Sequence, residues 1–358
     1  MAVKIIHCAD IHFDTPFTGL DSTQKAEIRR EELRQTFGKI VSLAAEEKAD
    51  ALIICGDMFD SRSVSAHTLR YVREKLASIP NIPVFISAGN HDPNTPGSYY
   101  QVFNWSANVH IFPNHMERFE CEYFDIYGQS FSSFTEEKSM LTDFQIKNAD
   151  KVNIIALHGD INGVYNPITE REIEQSGADY LALGHIHSYS GAMHYGQTCA
   201  VYPGCPEGRG YDELGKKGVV IAKIEKGQSK LTFVPLCRRQ YHEIVVSVNE
   251  IHDYETLCGR ILLAMNGSEE DLYKIILTGT SEFTIQPAII LENLKCFSAK
   301  IKNQTSTRLD YDKIKNELTL KGLFIKNVFE NKEITSDTAE LVLSIGLDVL
   351  RGEKVKLP

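Results

Sequence analysis

The chain has 358 residues, of which 42% are hydrophobic, and a formal net charge of −10 at pH 7. This length and apolar content indicate one large folded domain with a smaller one, and they exclude a disordered or low-complexity protein. The acidic balance argues against a surface built throughout for nucleic acid. Local basic clusters weaken that argument, although each is also explained as an ordinary solvated face. The clusters are Lys25/Arg29/Arg30/Arg34, Arg70/Arg73/Lys75, Arg209/Lys216/Lys217 and Arg238/Arg239.

The sequence carries no signal for a membrane or for export. Its longest apolar runs, residues 152–157 and 180–183, fall well short of the roughly 20 residues that a membrane span needs. The chain passes directly into a predicted strand at residue 3, without a signal-peptide layout. Eight cysteines occur without a Cys-x-x-Cys pair, and Cys8 and Cys55 lie inside predicted buried strands. We therefore predict a cytoplasmic protein without membrane contact.

The first hundred residues alternate between strands and helices. Apolar runs of β-formers predict strands at residues 3–9, 50–55 and 84–88. Apolar residues at helical spacing predict helices at residues 22–48, with Ser22 as N-cap, and 65–78. This order predicts right-handed crossovers and a parallel sheet.

The next segment predicts a second sheet. Short strands are expected at residues 109–112, 118–120 and 124–127, in that sheet or at its edge. Further strands at 151–157 and 180–183 flank a short helix at 169–175. Four alternating segments, residues 191–195, 199–202, 218–224 and 231–236, are typical of antiparallel hairpins. The predicted fold class is α/β, with two sheets packed face to face and helices outside.

The C-terminal third has a different character. A small α+β unit is predicted there. It has strands at 241–248, 273–280 and 296–302, a helix at 254–265, and a helix or turn at 288–294. Two helices follow at 310–329 and 336–350, the first with Leu318, Leu323, Phe324 and Val328 on one stripe. We predict three domains: residues 1–240, an α+β cap at 241–308, and a helical pair at 309–358. The helical pair either packs on itself or docks a partner, and we predict docking.

Polar residues of one chemical type follow five of the predicted strands. They are Asp10-x-His12, Gly56-Asp57, Gly89-Asn90-His91-Asp92, His158-Gly159-Asp160 and Gly184-His185-Ile186-His187. In open α/β sheets, ligands bind outside the carboxyl ends of the strands. Aspartate, asparagine and histidine without cysteine suit Mn²⁺, Mg²⁺, iron or Zn²⁺. The pattern therefore predicts a metal site.

Seven candidate ligands are too many for one ion that keeps an open position, so two ions sharing Asp57 are expected. Asp10, His12 and His187 would complete one ion, and Asn90, His158 and His185 the other. A neutral amide such as Asn90 limits negative charge where an anionic phosphodiester must bind. His91 is then free to act as a general acid or as a cation on the phosphate. Asp60 and Asp92 are expected to orient imidazoles or loop backbone.

As an ordered set, these motifs resemble the signature of the calcineurin-like metallophosphoesterases. Phe59-Asp60 after Gly-Asp and the segment Tyr202-Pro203-Gly204-Cys205-Pro206-Glu207-Gly208-Arg209-Gly210 look like the SbcD-type DNA repair exonucleases. The segment from Asp10 to Phe17 and the final helix pair look most like the bacterial YhaO-type subgroup. Cys205 departs from the serine that often follows Tyr-Pro-Gly, which bears on substrate contacts and not on the metal ligands.

The resemblance implies a four-layer αββα sandwich with a dinuclear site, usually occupied by manganese, with Mg²⁺, iron or Zn²⁺ as alternatives. It also implies 3′→5′ exonuclease and endonuclease activity in DNA double-strand-break repair, with His91 matching the family's catalytic histidine. The implied partners are DNA, an SbcC-like coiled-coil ATPase and a second copy of the chain.

Two rival functions share this sequence pattern. One is a phosphodiesterase or phosphatase for small nucleotides or phosphoproteins, which would use the same site chemistry. The roughly 120 residues after residue 236 favour the nuclease, because a small substrate does not require a separate cap. The other rival is a non-catalytic scaffold, which is disfavoured because no expected ligand is missing.

Overall fold

The computed structural model describes residues 2–60, 64–147, 150–266, 268–307, 311–331 and 335–351. The chain divides into two compact units. Unit 1 comprises Met1–Glu243, Gly267–Lys274 and Cys296–Ala299, and unit 2 comprises Ile244–Asn266, Ile275–Lys295 and Lys300–Pro358. The division into domains at 1–240, 241–308 and 309–358 stays a prediction. Within its last segment, residues 309–310, 332–334 and 352–358 lie outside the described residues.

The elements up to residue 235 belong to unit 1 and build two sheets. In chain order they are β1 (Val3–Cys8), α1 (Thr23–Glu46), β2 (Ala51–Cys55), α2 (Ala66–Ala77), β3 (Val84–Ser87), α3 (Tyr99–Val102), β4 (Val109–Ile111), β5 (Glu117–Glu120), β6 (Phe124–Gly128), β7 (Val152–His158), α4 (Glu170–Gln175), β8 (Tyr180–Gly184), β9 (Met193–Tyr195), β10 (Thr198–Val201), β11 (Gly218–Glu225) and β12 (Gln228–Pro235). The strand orders are β12-β11-β1-β2-β3-β4 and β5-β6-β7-β8-β10-β9.

Three buried clusters define the layers of unit 1. Leu33 and Phe37 of α1 and Val72 of α2 pack with Ile6 and Ile54 on one face of the first sheet. The opposite faces of the two sheets share a second cluster, with Ile5, Ile53 and Phe85 from the first sheet and Ile126, Ile154 and Tyr180 from the second. Ile173 of α4 packs with Ile155 and Leu181 on the outer face of the second sheet. The layers are α, β, β and α, which confirms the predicted sandwich.

The remaining elements are smaller. They are β13 (Tyr241–Ser247), α5 (Tyr254–Ala264), β14 (Leu272–Thr278), β15 (Thr280–Ser281), α6 (Pro287–Asn293), β16 (Ser298–Asn303), β17 (Ser306–Thr307), α7 (Tyr311–Ile314), α8 (Leu320–Glu330) and α9 (Ser336–Arg351). β13, β14 and β16 form a three-stranded sheet. α8 and α9 share a buried cluster that includes Ile325, Val328, Leu343 and Leu347.

Two strand-pairing predictions were wrong in part. β4 pairs with β3 in the first sheet, whereas the prediction grouped it with β5 and β6 in the second. β10 pairs antiparallel with β9, as a hairpin does, but also parallel with β8. Alternating apolar and polar residues identify a strand but not the strands that pair with it, because tertiary packing decides the pairing.

The predicted helix at 310–329 was also wrong as one element, and its first residue, Asp310, lies outside the described residues. α7 ends at Ile314, and α8 starts separately after Thr319, whose side chain caps α8 by accepting from the Gly322 backbone N–H at 3.0 Å. Leu318 is fully exposed and Leu323 is 55% exposed, so these two residues do not form part of a buried apolar stripe as predicted.

Two arginines of the basic clusters are paired with carboxylates. Arg29 is wholly buried and donates to Glu32 at 2.6 Å and to Glu207 at 2.8 Å. Arg239 pairs with Glu32 as well, at 2.8 Å. These two guanidinium groups belong to a buried ion-pair network. In the part of the chain that the structure describes, no helix is long and apolar enough to cross a membrane.

Candidate metal centre

The seven predicted ligands lie together at the carboxyl ends of five strands. Asp10 and His12 follow β1, Asp57 follows β2, and Asn90 follows β3. From the second sheet, His158 ends β7, while His185 and His187 follow β8. The site therefore takes ligand side chains from both sheets of the sandwich.

Two glycines let the sheets approach at this point. A Cβ added at Gly184 would lie 1.7 Å from the Cys55 carbonyl oxygen. One added at Gly56 would lie 2.2 Å from Nδ1 of His158, and Gly56 has a φ of +78°. The Gly-Asp and Gly-His pairs of the sequence are thus required by the close packing of strand ends.

Several site residues have left-handed backbone. The φ angles are 54° at Asp10, 52° at His12, 49° at Asp57 and 101° at His185. Such angles are costly for residues other than glycine and persist only where the surroundings hold them. Backbone bonds from Asp10 N–H to the Gly56 carbonyl (3.1 Å) and from His12 N–H to the Asp57 carbonyl (2.9 Å) do so here.

Asp10, His12 and His187 form one group whose ligand atoms all lie within 4.8 Å of one another. His187 Nε2 is 3.8 Å from Asp10 Oδ1. The His12 ring hydrogen-bonds through Nδ1 to Asp60 Oδ1 at 3.0 Å, while its buried Nε2 has no hydrogen-bond partner among the described residues. A buried ring nitrogen with an unused lone pair fits a metal ion.

Asp57 lies between this group and the next. Its Oδ2 is 3.6 Å from His12 Nε2 and 3.5 Å from His158 Nε2. Asp10, Asp57 and His158 also form a group within 4.8 Å. One carboxylate oxygen thus faces ring nitrogens from both sheets, the position that a shared ligand requires.

The second side of the site is built around Asn90. Its side-chain oxygen is 2.9 Å from His158 Nε2 and 3.2 Å from His185 Nδ1. His158 Nδ1 lies 3.0 Å from the Cys55 carbonyl, which can only accept, so Nδ1 carries the proton. Burial acts to lower the pKa of the His158 ring, but the Asp57 and Asp10 carboxylates hold this pKa above its usual value, so Nε2 can carry a second proton that it donates to Asn90. A bound cation would take the place of that proton.

Burial shifts two pKa values of the first group. It raises the pKa of the Asp10 carboxyl to about 6 and lowers the pKa of the His12 imidazole to about 4. Burial also acts to lower the pKa of His187, but the bond to Glu213 holds it above its usual value. Burial also acts to raise the pKa of Asp57, but the neighbouring His158 and His12 rings hold it below its usual range. Neutral imidazoles and ionised carboxylates are the forms that bind metal.

His91 stands beside the site with an exposed side chain. Its backbone N–H donates to Asp57 Oδ1 at 2.9 Å, and its ring lies edge-on to His12 at a centroid distance of 4.8 Å. His12, Asp60 and His91 also form a group within 4.8 Å. Asp60 Oδ1 is already bonded to His12 and to Arg209, so this group is not an equivalent site.

Asp60 and Asp92 contact the ligands and their loops. Asp60 accepts from His12 Nδ1, and Arg209 Nη1 donates to it at 3.3 Å. Asp92 Oδ1 accepts the backbone N–H groups of Asp57 and Gly89, and its Oδ2 accepts that of Phe59. Burial raises the pKa of Asp92 to about 6.

Sequence reasoning did not assign a role to Glu213. Its Oε1 lies 2.7 Å from His187 Nδ1 and accepts from Arg209 Nη2 at 2.9 Å. Burial acts to raise its pKa, but the bonds to His187 and Arg209 hold the pKa well below its usual range. A carboxylate in a turn, whose contact with His187 spans 26 residues, leaves no periodic signal in the sequence. Asp160, in contact with His185 at 3.4 Å, was noted only as a strand-end residue.

Residues 3–189 match the family model described as calcineurin-like phosphoesterase. The chain belongs to this family. Its members are metallophosphoesterases with a dinuclear metal site, and the Asp and His groups of the present chain are able to hold metal ions.

Three relatives show the range of similarity. An uncharacterized metallophosphoesterase, YhaO of Bacillus subtilis, is 26% identical over 272 residues, covering 71% of this chain and 65% of that protein. A DNA double-strand break repair protein Mre11 of Methanopyrus kandleri is 21% identical, covering 99% of this chain and 84% of that protein. The SbcD component of the nuclease SbcCD of Bacillus subtilis is 23% identical, covering 63% of this chain and 67% of that protein. The match to YhaO thus spans just under two thirds of that relative.

Proposed function

We propose that this chain is a metal-dependent DNA nuclease, with 3′→5′ exonuclease and endonuclease activity in double-strand-break repair. The observation that carries the proposal is an exposed imidazole, His91, beside a cluster of Asp, Asn and His ligands at the ends of both sheets. The names of the Mre11 and SbcD relatives support DNA as the substrate.

In this proposal, Asp10, His12 and His187 would hold one ion, Asn90, His158 and His185 would hold the second, and Asp57 would be shared by the two. Two divalent ions, with manganese preferred, would supply Lewis-acid activation of the attacking water and neutralise charge on the phosphate. With two carboxylates among seven ligands, the loaded site keeps a positive charge of about two. The local charge therefore favours a phosphodiester although the whole chain is acidic.

His91 is proposed to act on the departing 3′ oxygen. The bond from its backbone N–H to Asp57 fixes the start of its loop, and its ring Nδ1 lies 3.4 Å from the Asp60 carbonyl oxygen, so Nε2 is the ring nitrogen that we propose to face a bound phosphate. A protonated ring would donate its proton to the oxygen as the P–O bond breaks, and the neutral ring would remain.

The proposed partners are DNA, an SbcC-like coiled-coil ATPase and a second copy of this chain. The relative named as part of the nuclease SbcCD supports the ATPase. We also propose a cytoplasmic location. All eight cysteines lie in the described ranges and are free, which supports a reducing compartment.

The test is degradation of end-labelled single-stranded and duplex DNA with Mn²⁺, Mg²⁺ or chelator. We expect manganese-dependent cleavage that falls by at least about 100-fold in His91→Ala, as loss of a general acid does. Metal affinity, measured by calorimetry, should stay within about three-fold because His91 is not a proposed ligand. His115→Ala, which removes another exposed histidine, is the matched control.

Faster turnover of cyclic nucleotides or phosphopeptides than of either DNA would replace the nuclease with the small-substrate enzyme. Full cleavage by His91→Ala would remove that residue from the chemistry and leave the metal site in place.

A further inference from the structure

A cavity of about 390 Å³ lies next to His91. It is formed by the loop that starts at His91 and ends in α3, and its lining includes Pro93, Thr95, Pro96 and Tyr99. Its size falls within the roughly 300–1,000 Å³ typical of small-ligand pockets. Neither the ligand set nor the proposed role of His91 uses this cavity.

Apart from His91 at its edge, the lining that the structure describes offers apolar surface and no charge that lacks a partner. The one carboxylate, on Asp92, has both oxygens occupied by backbone N–H groups and by the hydroxyl of Tyr100, which donates to it at 2.5 Å. Prolines and tyrosines supply flat surfaces, and Thr95 and Ser98 supply hydroxyl groups. The cavity therefore suits a flat, uncharged group and not a phosphate.

Hydrogen bonds hold the loop to the segments that follow β4 and β6 and to the residue Val64 before α2. Asn94 N–H donates to the Phe131 carbonyl at 2.9 Å, and the Asn94 side chain donates to the Phe112 carbonyl at 3.3 Å. Val64 N–H donates to the Tyr99 hydroxyl at 2.9 Å. A cavity held by such bonds is formed before a ligand arrives, which lowers the cost of binding.

We propose that this cavity holds the unstacked base of the nucleotide whose 3′ oxygen departs. The inference rests on the proposed nuclease function, in which His91 acts on that oxygen. His91 borders both the metal ligands and the cavity, so a nucleotide with its phosphate at the metals and its 3′ oxygen at His91 has its base at the cavity entrance. Aromatic surfaces stack on any base, so the cavity selects unpaired nucleotides and not a sequence.

The experiment uses single-stranded oligonucleotides with one base removed. An abasic residue at the penultimate position removes the base on the nucleotide that carries the departing oxygen, and an abasic residue at the 3′ end is the matched control. We expect kcat/KM for release of the terminal nucleotide to fall at least about ten-fold for the penultimate substrate and less than about two-fold for the control. Equal rates, or a larger effect at the terminus, would overturn the proposal.

A variant tests the cavity itself. Thr95→Trp should fill it and bring cleavage of normal DNA to the rate seen with the penultimate abasic substrate, with little further effect on that substrate. Thr142→Trp, which places the same bulky side chain at an exposed threonine outside the cavity lining, should behave as the unaltered protein does. If the reductions in cleavage rate caused by Thr95→Trp and by base removal multiply when the two are combined, the two changes act at different sites, and this would count against the proposal.

A binding measurement separates failure of this inference from failure of the nuclease function. With chelator present, 2-aminopurine at the penultimate position should lose at least about half its fluorescence on binding to the unaltered protein and little on binding to Thr95→Trp. Quenching without cleavage in any metal would reject the nuclease function and keep the base site. Cleavage that is indifferent to base removal, without quenching, would reject the base site alone.

Discussion

At the scale of single residues, the side chain that orients His187 is Glu213. It occupies Nδ1 of the ring, so Nε2 faces Asp10 and the site. Arg209 bonds to both Glu213 and Asp60, and Asp60 in turn bonds to His12. Two imidazoles of the first group are thus held by one connected set of charged side chains.

Replacing Glu213 with glutamine should weaken metal binding. The amide keeps the shape of the side chain and removes the charge that favours a proton on Nδ1 of His187. We expect affinity for Mn²⁺ to fall by about 10-fold or more, the usual cost of losing a group that orients a metal ligand.

Calorimetry on the full chain measures that affinity. Glu225→Gln, at the exposed end of β11, is the control and should bind as the unaltered protein does. Unchanged affinity in Glu213→Gln would mean that the contact with His187 serves folding and not the site.

At the scale of elements, His7 of β1 is a polar link between the two sheets. Its Nδ1 is 3.0 Å from the Tyr180 hydroxyl, and its Nε2 is 3.2 Å from the Leu183 carbonyl. Both partners belong to β8. Burial lowers the pKa of this ring to about 3, so the folded protein keeps it neutral.

This link predicts a pH dependence of stability. The unfolded chain takes up a proton on His7 below about pH 6.5, whereas the folded chain does not until about pH 3. The free energy of unfolding therefore falls as the pH falls through this window, by about 2 kcal/mol between pH 7 and pH 5 from this residue.

Denaturant titrations at the two pH values measure the effect. His7→Gln, which keeps hydrogen-bonding atoms and cannot titrate, should lose about 2 kcal/mol less than the unaltered protein over this range. His115→Gln serves as the control, because that side chain is exposed. The same pH dependence in His7→Gln and in the unaltered protein would contradict the assignment.

Helices and strands with a clear hydrophobic pattern in the sequence could be predicted, and those without such a pattern could not. The runs at β1, β2 and β7 are mostly apolar because both faces of these strands are covered, and the sequence signals them directly. The cap at Ser22 was also predicted, and its side chain accepts from the Lys25 N–H at 3.2 Å. The four-residue helix α3 and the two-residue strands β15 and β17 are too short to carry a period.

The residues of the candidate site also divide into those that a sequence pattern predicts and those that it does not. The candidate ligands lie at the ends of strands that apolar runs predict, so their position at one edge of the sheets can be deduced from the sequence. The roles of Glu213 and Arg209 depend on how a turn after residue 209 folds back to His187, and no local pattern records that path. Leu318, which fitted a helical stripe, is exposed because the helix restarts at Thr319.

At the scale of the whole molecule, the metal site stores strain that the folded core holds in place. Asp10, His12, Asp57 and His185 have φ between 49° and 101°. Residues in such backbone cost about 1–3 kcal/mol each. Binding of ions by the folded chain alone would offset part of this cost.

Metal removal should therefore lower the melting temperature. With free Mn²⁺ at about 100 times its dissociation constant, stabilisation is about 2.7 kcal/mol for one site, or roughly 5–10 °C for a domain of this size. Asp57→Asn should lose most of that shift.

Differential scanning calorimetry with Mn²⁺ or with chelator measures the shift. Asp143→Asn is the matched control, because Asp143 is also left-handed, with φ of 59°, and lies outside the candidate ligand groups. An equal shift in Asp57→Asn and in the control would place the bound ion elsewhere.

The path of the chain through the first sheet has a consequence for biosynthesis. β1 is made first, yet one of its two neighbours is β11, antiparallel to it, which begins at Gly218 and leaves the ribosome far later. Until then, β1 has an unpaired edge, and before the second sheet exists the inner face of the first has no cover. A nascent chain stopped just before β7 would expose both. The candidate ligands come from strands of both sheets, and the last of them, His187, follows β8, so a growing chain can assemble its metal site only after β8 is made.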